Sequence, residues 1–264
     1  IPKRDWSSDV CSSDLILRNI PEIEDAQVML ETASRLGARV EKLDPGVWRI
    51  DASGPLGTEI PEEQSRKIRA SILFAGPLVA RTGRCVLPPP GGDVIGRRRL
   101  DTHLLALEEL GARIEVDGKF VFTANKLVGA DVFLDEASVT ATENAVMAAV
   151  RAEGRTVLRN TASEPHVQDL CRMLVGMGAS ISGIGSNILE IQGVPALGGT
   201  DFSIGPDFME IGSFIGLAAV THGELDIEGV RSDELRMIKL GFAKLGIRWT
   251  VEGDLLRVPA GQVL

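Results

Sequence analysis

Apolar and polar positions recur along the chain with a period of about 70 residues, starting at Ile16. In each copy an amphipathic helix ends in an apolar residue and a glycine, and a short strand of alternating apolar and polar residues follows. A glycine after the last helical turn is typical of a left-handed cap. The four glycines in this position are Gly37, Gly111, Gly178 and Gly246.

A second recurrence lies between these copies, where helices end at Gly83, Gly154 and Gly223. Residues 71–80 and 211–220 are apolar on nearly every side, which predicts that these helices are buried all round. At about ten residues each they are too short to span a bilayer. We therefore expect sheets to surround them.

Together the two recurrences predict an α/β fold in which each repeat runs strand-helix-strand-helix-strand-strand. An acidic residue beside a glycine separates two strand runs at 116–120 and again at 251–255. This pairing is typical of a tight β-hairpin.

Composition and net charge indicate which partners and which cellular compartment suit this chain. The chain has 264 residues, 44% of them hydrophobic, and a formal net charge of −9. This charge argues against a partner that is nucleic acid or an anionic membrane. Cys11, Cys85 and Cys171 have no paired spacing and fit a reducing cytoplasm better than a disulfide framework or a zinc site. Residues 1–15 differ in composition from the rest and are interpreted as an artefactual leader.

One segment carries unusual chemistry: Gly91 and Gly92 lead through Asp93 into the arginine triplet 97–99. Adjacent glycines allow a turn and a close approach to a ligand, and arginines bind phosphates and carboxylates. The pattern indicates an acid poised over an anion site. A solvated surface loop is the alternative.

The repeats, the Arg69-Ala-Ser helix start, the 76–81 and 107–112 stretches and the 90–96 loop together resemble the enolpyruvyl transferase family. The resemblance implies two similar domains, each an inside-out α/β barrel of three repeats around central helices. Residues 16–205 would form the first domain and residues 206–264 the first repeat of the second. Ligands would bind between the domains.

The resemblance also implies the reaction: the enolpyruvyl group of phosphoenolpyruvate is transferred to the 3'-hydroxyl of UDP-N-acetylglucosamine, at the start of peptidoglycan synthesis. It implies no metal and no organic cofactor. Asp93 falls where the family usually has a cysteine and is expected to be the general acid, with a turn-forming residue as the alternative. An aspartate here implies resistance to the epoxide fosfomycin, which alkylates that cysteine.

The residues expected to bind substrate follow from the same resemblance. Arg98 is expected to meet the phosphate of phosphoenolpyruvate. Arg69 matches a nucleotide-sugar contact, with a structural ion pair as the alternative, and Asp101 could also cap the helix at 102–110. The residues expected to contact the nucleotide sugar are Arg69, Arg98, Arg99, Leu100, Asp101, Thr102, Glu136, Ala137, Ser138 and Val139, and Asp207 matches an acidic position at the domain crossover.

Several positions depart from the family pattern or are expected to be structural. Glu136 stands where a lysine can occur, and Thr140 replaces a usual glycine. His103, Cys85 and Cys171 are interpreted as packing residues.

Some of the residues that form the site in this family have no counterpart in this sequence. We therefore expect the chain to be an internal fragment that does not turn over by itself. The competing interpretations are a family member that acts on shikimate phosphate and a sensor that binds nucleotide sugars without catalysis.

Overall fold

The computed structural model describes residues 14–92 and 99–262. Within them the chain forms two compact units, a first unit that ends at Ile204 and a second unit that begins at Gly205. The strands of the first unit are β1 (Asp14–Arg18), β2 (Arg39–Asp44), β3 (Val47–Asp51), β4 (Arg84–Leu87), β5 (Arg113–Val116), β6 (Phe120–Thr123), β7 (Asp131–Phe133), β8 (Arg155–Arg159), β9 (Ser180–Ser182), β10 (Ile188–Gln192) and β11 (Thr200–Ser203). Its helices are α1 (Glu24–Arg35), α2 (Glu62–Lys67), a 3₁₀ helix (Arg69–Phe74), α3 (Ala75–Thr82), α4 (Asp101–Glu109), α5 (Val139–Ala149) and α6 (Pro165–Gly176). The second unit contains α7 (Phe208–Val220), β12 (Leu225–Ile227), α8 (Arg236–Ala243), β13 (Thr250–Glu252) and β14 (Leu255–Val258).

Three sheets belong to the first unit, with strand orders β11-β1-β3-β2, β4-β6-β5 and β7-β8-β10-β9. Two of these sheets contain a parallel pair of strands. Strand β7 pairs with β8, the strand that follows α5, and β1 pairs with β11, which comes much later in the chain. Asp14 and Leu15, assigned by composition to the leader, are paired with β3 in this sheet. Residues 1–13 lie outside the described residues.

The predicted order of elements is confirmed in two consecutive repeats. The first runs β7-α5-β8-α6-β9-β10 and the second runs β11-α7-β12-α8-β13-β14. Both predicted hairpins are present, β5 with β6 and β13 with β14. Each of the four predicted cap glycines has a positive φ, between 83° at Gly246 and 108° at Gly37. The α/β fold class therefore holds.

Helix α5 lies at the centre of the first unit, where it packs against α3, α4 and α6. The helix predicted over 71–80 is divided into the 3₁₀ helix and α3, which begins at Ala75. Pro77 has no N–H group and is tolerated in the first turn of a helix, where no intrahelical bond is lost. The sequence pattern could not locate this division because the apolar run continues through both parts.

The second unit has one sheet, in the order β12-β14-β13. Helix α7 buries Ile211, Ile215 and Ala219, but Met209 is 63% exposed and Val220 is 61% exposed. The prediction that 211–220 is buried all round is therefore wrong for the described residues. One face of α7 packs within this unit, against β12 and β14. Among the described residues 205–262 there is no second sheet to cover its other face.

Candidate functional site

Arg69 lies against the residues on either side of segment 93–98, which contains the predicted general acid Asp93. Its Nη2 donates to the backbone oxygen of Arg99 at 2.9 Å. On the other side Gly92 has a φ of +88°, and a Cβ there would lie 3.0 Å from the Arg69 nitrogen. A Cβ on Gly91 would collide with the carbonyl oxygen of Arg66. The glycine pair is thus needed for the close approach to the start of the 3₁₀ helix.

Residues 93–98 lie between these two contacts and outside the described residues. The roles of Asp93 as general acid and Arg98 as phosphate ligand consequently remain predictions.

The start of α4 presents the next group of predicted residues. Leu100 is buried, Arg99 and Asp101 are exposed, and their side chains form a loose ion pair of 3.6 Å. Helix α4 begins at Asp101, with Leu100 in the N-cap position and no side-chain capping bond. The alternative role of Asp101 as the N-cap is therefore wrong. An exposed ion pair of this kind adds little stability, so both side chains are available to a ligand.

A hydrogen bond joins α4 to the loop before α5: Thr102 Oγ1 donates to Asp135 Oδ1 at 2.7 Å. Asp135 was missed by the sequence analysis. Its only local signal is its position between the end of β7 and the helix start at Ser138. The bond brings the two predicted nucleotide-sugar segments, 99–102 and 136–139, next to each other.

The loop before α5 leads into a helix start, where the first backbone N–H groups have no partner within the helix. Ser138 is the N-cap, and its side chain accepts from the Ala141 nitrogen at 3.3 Å. Glu136 and Ala137 are exposed, whereas Ser138 and Val139 are half-buried. The first N–H groups of a helix and its dipole favour an anionic ligand.

A buried hydrogen-bond chain passes beneath these segments. His103 is 4% exposed, with Nε2 3.2 Å from Thr140 Oγ1 and Nδ1 3.2 Å from Asn144 Nδ2. Burial, reinforced by the positive charge of Arg69, lowers the pKa of His103 to about 4. His103 is therefore neutral near pH 7 and acts as a hydrogen-bonding link as well as a packing residue.

A second polar group on α5 faces α6. Burial, reinforced by the charge of Glu164, raises the pKa of Glu143 to about 7. In the described residues Glu164 Oε2 is buried and has no hydrogen-bond partner. Glu164 occupies the N-cap position of α6. These carboxyl groups lie close enough to repel each other when both are ionised.

Asp207 lies in the second unit and is the N-cap of α7. Its Oδ1 accepts from the nitrogens of Met209 at 2.9 Å and Glu210 at 3.1 Å. The described residues give Asp207 a structural role, while its predicted role toward substrate stays a prediction.

The first unit thus gathers a cation, hydroxyl groups and the backbone N–H groups of a helix start from three segments: Arg69, residues 99–102 and residues 135–140. This combination suits a phosphorylated ligand that also carries neutral hydroxyl groups. Over the described ranges, no group of three His, Cys, Asp or Glu side chains could hold a metal ion. No helix in the same ranges has the length and apolar character needed to cross a bilayer.

Comparisons with known proteins agree on one family. A profile of the family described as EPSP synthase (3-phosphoshikimate 1-carboxyvinyltransferase) matches residues 10–262. The chain is 62% identical over 248 residues to the UDP-N-acetylglucosamine 1-carboxyvinyltransferase of Treponema denticola, with 94% of the chain and 58% of that relative covered. It is 56% identical over 250 residues to the protein of the same name from Treponema pallidum, covering 95% of the chain and 59% of the relative.

Solved structures agree on the fold. The enolpyruvyl transferase NikO from Streptomyces tendae matches with a TM-score of 0.79 at 23% identity, over 95% of this chain and 60% of that one. An EPSP synthase from Acinetobacter baumannii matches with a TM-score of 0.71 at 19% identity, over the same two shares. The chain spans about three fifths of the length of these relatives.

Proposed function

The chain belongs to the EPSP synthase (3-phosphoshikimate 1-carboxyvinyltransferase) family, and we propose that it forms part of an enzyme that transfers the enolpyruvyl group of phosphoenolpyruvate to the 3'-hydroxyl of UDP-N-acetylglucosamine. Phosphate is released, and the product enters peptidoglycan synthesis. The choice of acceptor is supported by the 62% identity to a UDP-N-acetylglucosamine 1-carboxyvinyltransferase. The two compact units correspond in this proposal to the first domain and the first repeat of the second.

The observation that carries the proposal is the convergence of three segments in the first unit. The Arg69 bond to the Arg99 carbonyl and the Thr102 bond to Asp135 hold these segments together. Cationic and backbone donors there would bind the diphosphate, and exposed polar side chains would bind the sugar. We assign nucleotide-sugar binding in the first unit to Arg69, Arg99, Leu100, Asp101, Thr102, Glu136, Ala137, Ser138 and Val139. The role of Asp207 toward substrate remains a separate prediction.

The chemistry requires a proton on the methylene carbon of phosphoenolpyruvate and loss of a proton from the attacking hydroxyl. We assign proton donation to Asp93 and contact with the leaving phosphate to Arg98. An ordinary aspartic acid titrates near pH 4, so Asp93 must be desolvated in the complex to remain protonated at neutral pH. The hydroxyl oxygen forms a bond to C2 of phosphoenolpyruvate and gives a tetrahedral intermediate. The C2–O bond to phosphate then breaks while the new methyl group loses a proton, which restores the enol ether, and Arg98 stabilises the leaving phosphate.

The test uses the complete protein, meaning a protein of the relatives' length that contains this chain. Phosphate release from phosphoenolpyruvate should require UDP-N-acetylglucosamine and should not occur with shikimate 3-phosphate. Asp93→Ala should abolish turnover while leaving nucleotide-sugar binding nearly unchanged, because a proton donor contributes to the transition state more than to binding.

The Asp93→Cys variant serves as the control for this assignment. It should keep turnover and gain a covalent adduct with fosfomycin, because a thiolate attacks an epoxide far faster than a carboxylate does. Release of phosphate with shikimate 3-phosphate alone would identify a different acceptor. Nucleotide-sugar binding without phosphate release would indicate a sensor, and full activity of Asp93→Ala would remove the general acid from this position.

A further inference from the structure

Two threonines near the start of α5 use their hydroxyl groups differently. Thr142 Oγ1 donates to the Ser138 carbonyl at 2.7 Å, the usual bond of a helical threonine to the preceding turn. Thr140 makes no such bond in the described residues, and its Oγ1 instead lies 3.2 Å from His103 Nε2. The direction of its O–H group therefore depends on which atom of this pair carries the proton.

The surroundings of Asn144 determine where that proton is. Asn144 Oδ1 accepts from the Gly76 nitrogen at 2.7 Å, and Nδ2 donates to the Ile72 carbonyl at 3.1 Å. A backbone N–H can only donate and a carbonyl can only accept, so the orientation of the amide is fixed. The second hydrogen of Nδ2 is then directed to His103 Nδ1, which must accept it.

Because Nδ1 accepts, the neutral imidazole carries its proton on Nε2 and donates it to Thr140 Oγ1. The low pKa of His103, about 4, agrees with a neutral ring. The Thr140 oxygen is thus an acceptor toward the protein, and its own hydrogen is directed away from His103. A hydroxyl that accepts one bond and has its hydrogen free is suited to donate to an anionic oxygen.

We propose that Thr140 is a further nucleotide-sugar-binding residue, whose hydroxyl donates to an oxygen of the diphosphate, and that His103 is the positioning residue that fixes this direction. The proposal rests on the proposed function, because it requires a diphosphate bound at the start of α5. Thr140 is half-buried and lies two residues after the N-cap Ser138. It therefore follows directly on the segment assigned to the nucleotide sugar.

The experiment measures binding of UDP-N-acetylglucosamine, of UDP and of uridine to the complete protein by calorimetry. Thr140→Val should raise the Kd for both diphosphates about tenfold, the effect of one lost hydrogen bond to a charged group. Thr140→Ser keeps the hydroxyl and should stay within about twofold of the unmodified protein. Uridine has no phosphate, and its binding should not change. Thr32→Val, which removes a buried bond to Val28 in α1, is the control for a general loss of stability.

A double-mutant cycle tests the role of His103. The shorter side chain of His103→Asn keeps an oxygen that can accept from Asn144 Nδ2 but does not reach Thr140 Oγ1. This variant should therefore also raise the Kd for UDP several-fold. In the Thr140→Val background the same change should have no further effect, since there is no hydroxyl left to orient.

Each part of the proposal can fail separately. Wild-type affinity of Thr140→Val, or equal weakening of uridine binding, would exclude the contact with the diphosphate. Additive effects in the cycle would exclude the positioning role of His103. Absence of nucleotide-sugar binding by the unmodified complete protein would instead overturn the proposed function, and this proposal with it.

Discussion

Helices α5 and α7 occupy the same place in consecutive repeats, yet their surroundings differ. Helix α5 contains Glu143 and Asn144 but is buried along most of its length, against α3, α4 and α6. Helix α7 has no charged residue after Glu210, but Phe214 is 46% exposed and Leu217 is 53% exposed. The more apolar helix is the less buried one.

The difference shows that burial depends on how many layers a unit supplies, as well as on the sequence of the helix. The first unit packs α3, α4, α6, the 3₁₀ helix and strand β10 against α5. The second unit places one sheet and α8 beside α7, with Ile238 of α8 packed against Gly212. A unit of about 60 residues buries a smaller share of its surface than a larger one and is only marginally stable. Helices α7 and α8 accordingly carry six exposed large hydrophobic side chains in the described structure: Met209, Phe214, Leu217, Val220, Met237 and Leu240.

The sharpest test of this comparison is a matched pair of phenylalanine substitutions. Phe122 is fully buried, so Phe122→Ala should lower the free energy of unfolding of the first unit by about 3–5 kcal/mol. Phe214→Ala should cost the second unit less than about 1 kcal/mol, because half of that side chain is already in water. Variants that keep only Trp48 or only Trp249, with the other two tryptophans replaced by Phe, report on the two units separately in urea unfolding followed by fluorescence. Equal costs in the two units would contradict the comparison.

The second test is limited proteolysis of the 264-residue chain. Because the second unit has the smaller core, it should open more often, and cleavage within α7 and α8 should be about 30- to 100-fold faster than within α4, α5 and α6 (~2–3 kcal/mol in opening free energy). Mass spectrometry over time should show a stable product trimmed toward residue 205. Equal protection of α5 and α7 would show that the two regions unfold together.

The sequence predicted the repeated elements because their signals are local. Glycines with a positive φ, such as Gly111 and Gly246, and an acidic residue beside glycine in a hairpin act over a few residues. The extent to which α7 is covered does not follow from its own apolar pattern, since an apolar helix has the same sequence whether one face or two are covered. The break before Ala75 was missed for a similar reason.

The candidate site shows the same difference between features with a local sequence signal and features that depend on tertiary packing. The segments 99–102 and 136–139 were predicted to bind the nucleotide sugar from the family resemblance, and that role remains a prediction. The bond from Thr102 to Asp135 brings the two segments together. The His103 chain was missed because its bonds join residues that are 37 and 41 positions apart in sequence. Pairings of that kind follow from the packing of α4 on α5 and leave no periodic signal.

The smallest expected effect concerns the carboxyl groups of the two compared helices. Burial, with the charge of Glu164, raises the pKa of Glu143 in the folded protein to about 7, above its ordinary value of 4.5. The folded state therefore holds this proton more tightly than the unfolded state. The resulting stability is fully present below about pH 4.5, declines as the pH rises, and is lost above about pH 7.

Glu143→Gln, which stays neutral, should be more stable than the unmodified chain by ~1–2 kcal/mol at about pH 8 and should lose that advantage near pH 5. The exposed Glu210 on α7 gives the matched control, because Glu210→Gln removes an exposed helix carboxylate without removing a buried one. Urea unfolding at the two pH values measures both variants. A Glu143→Gln advantage that is the same at pH 5 and pH 8 would mean that the carboxyl group is hydrated in the folded state, and the contrast between the buried and the exposed helix would not extend to their charges.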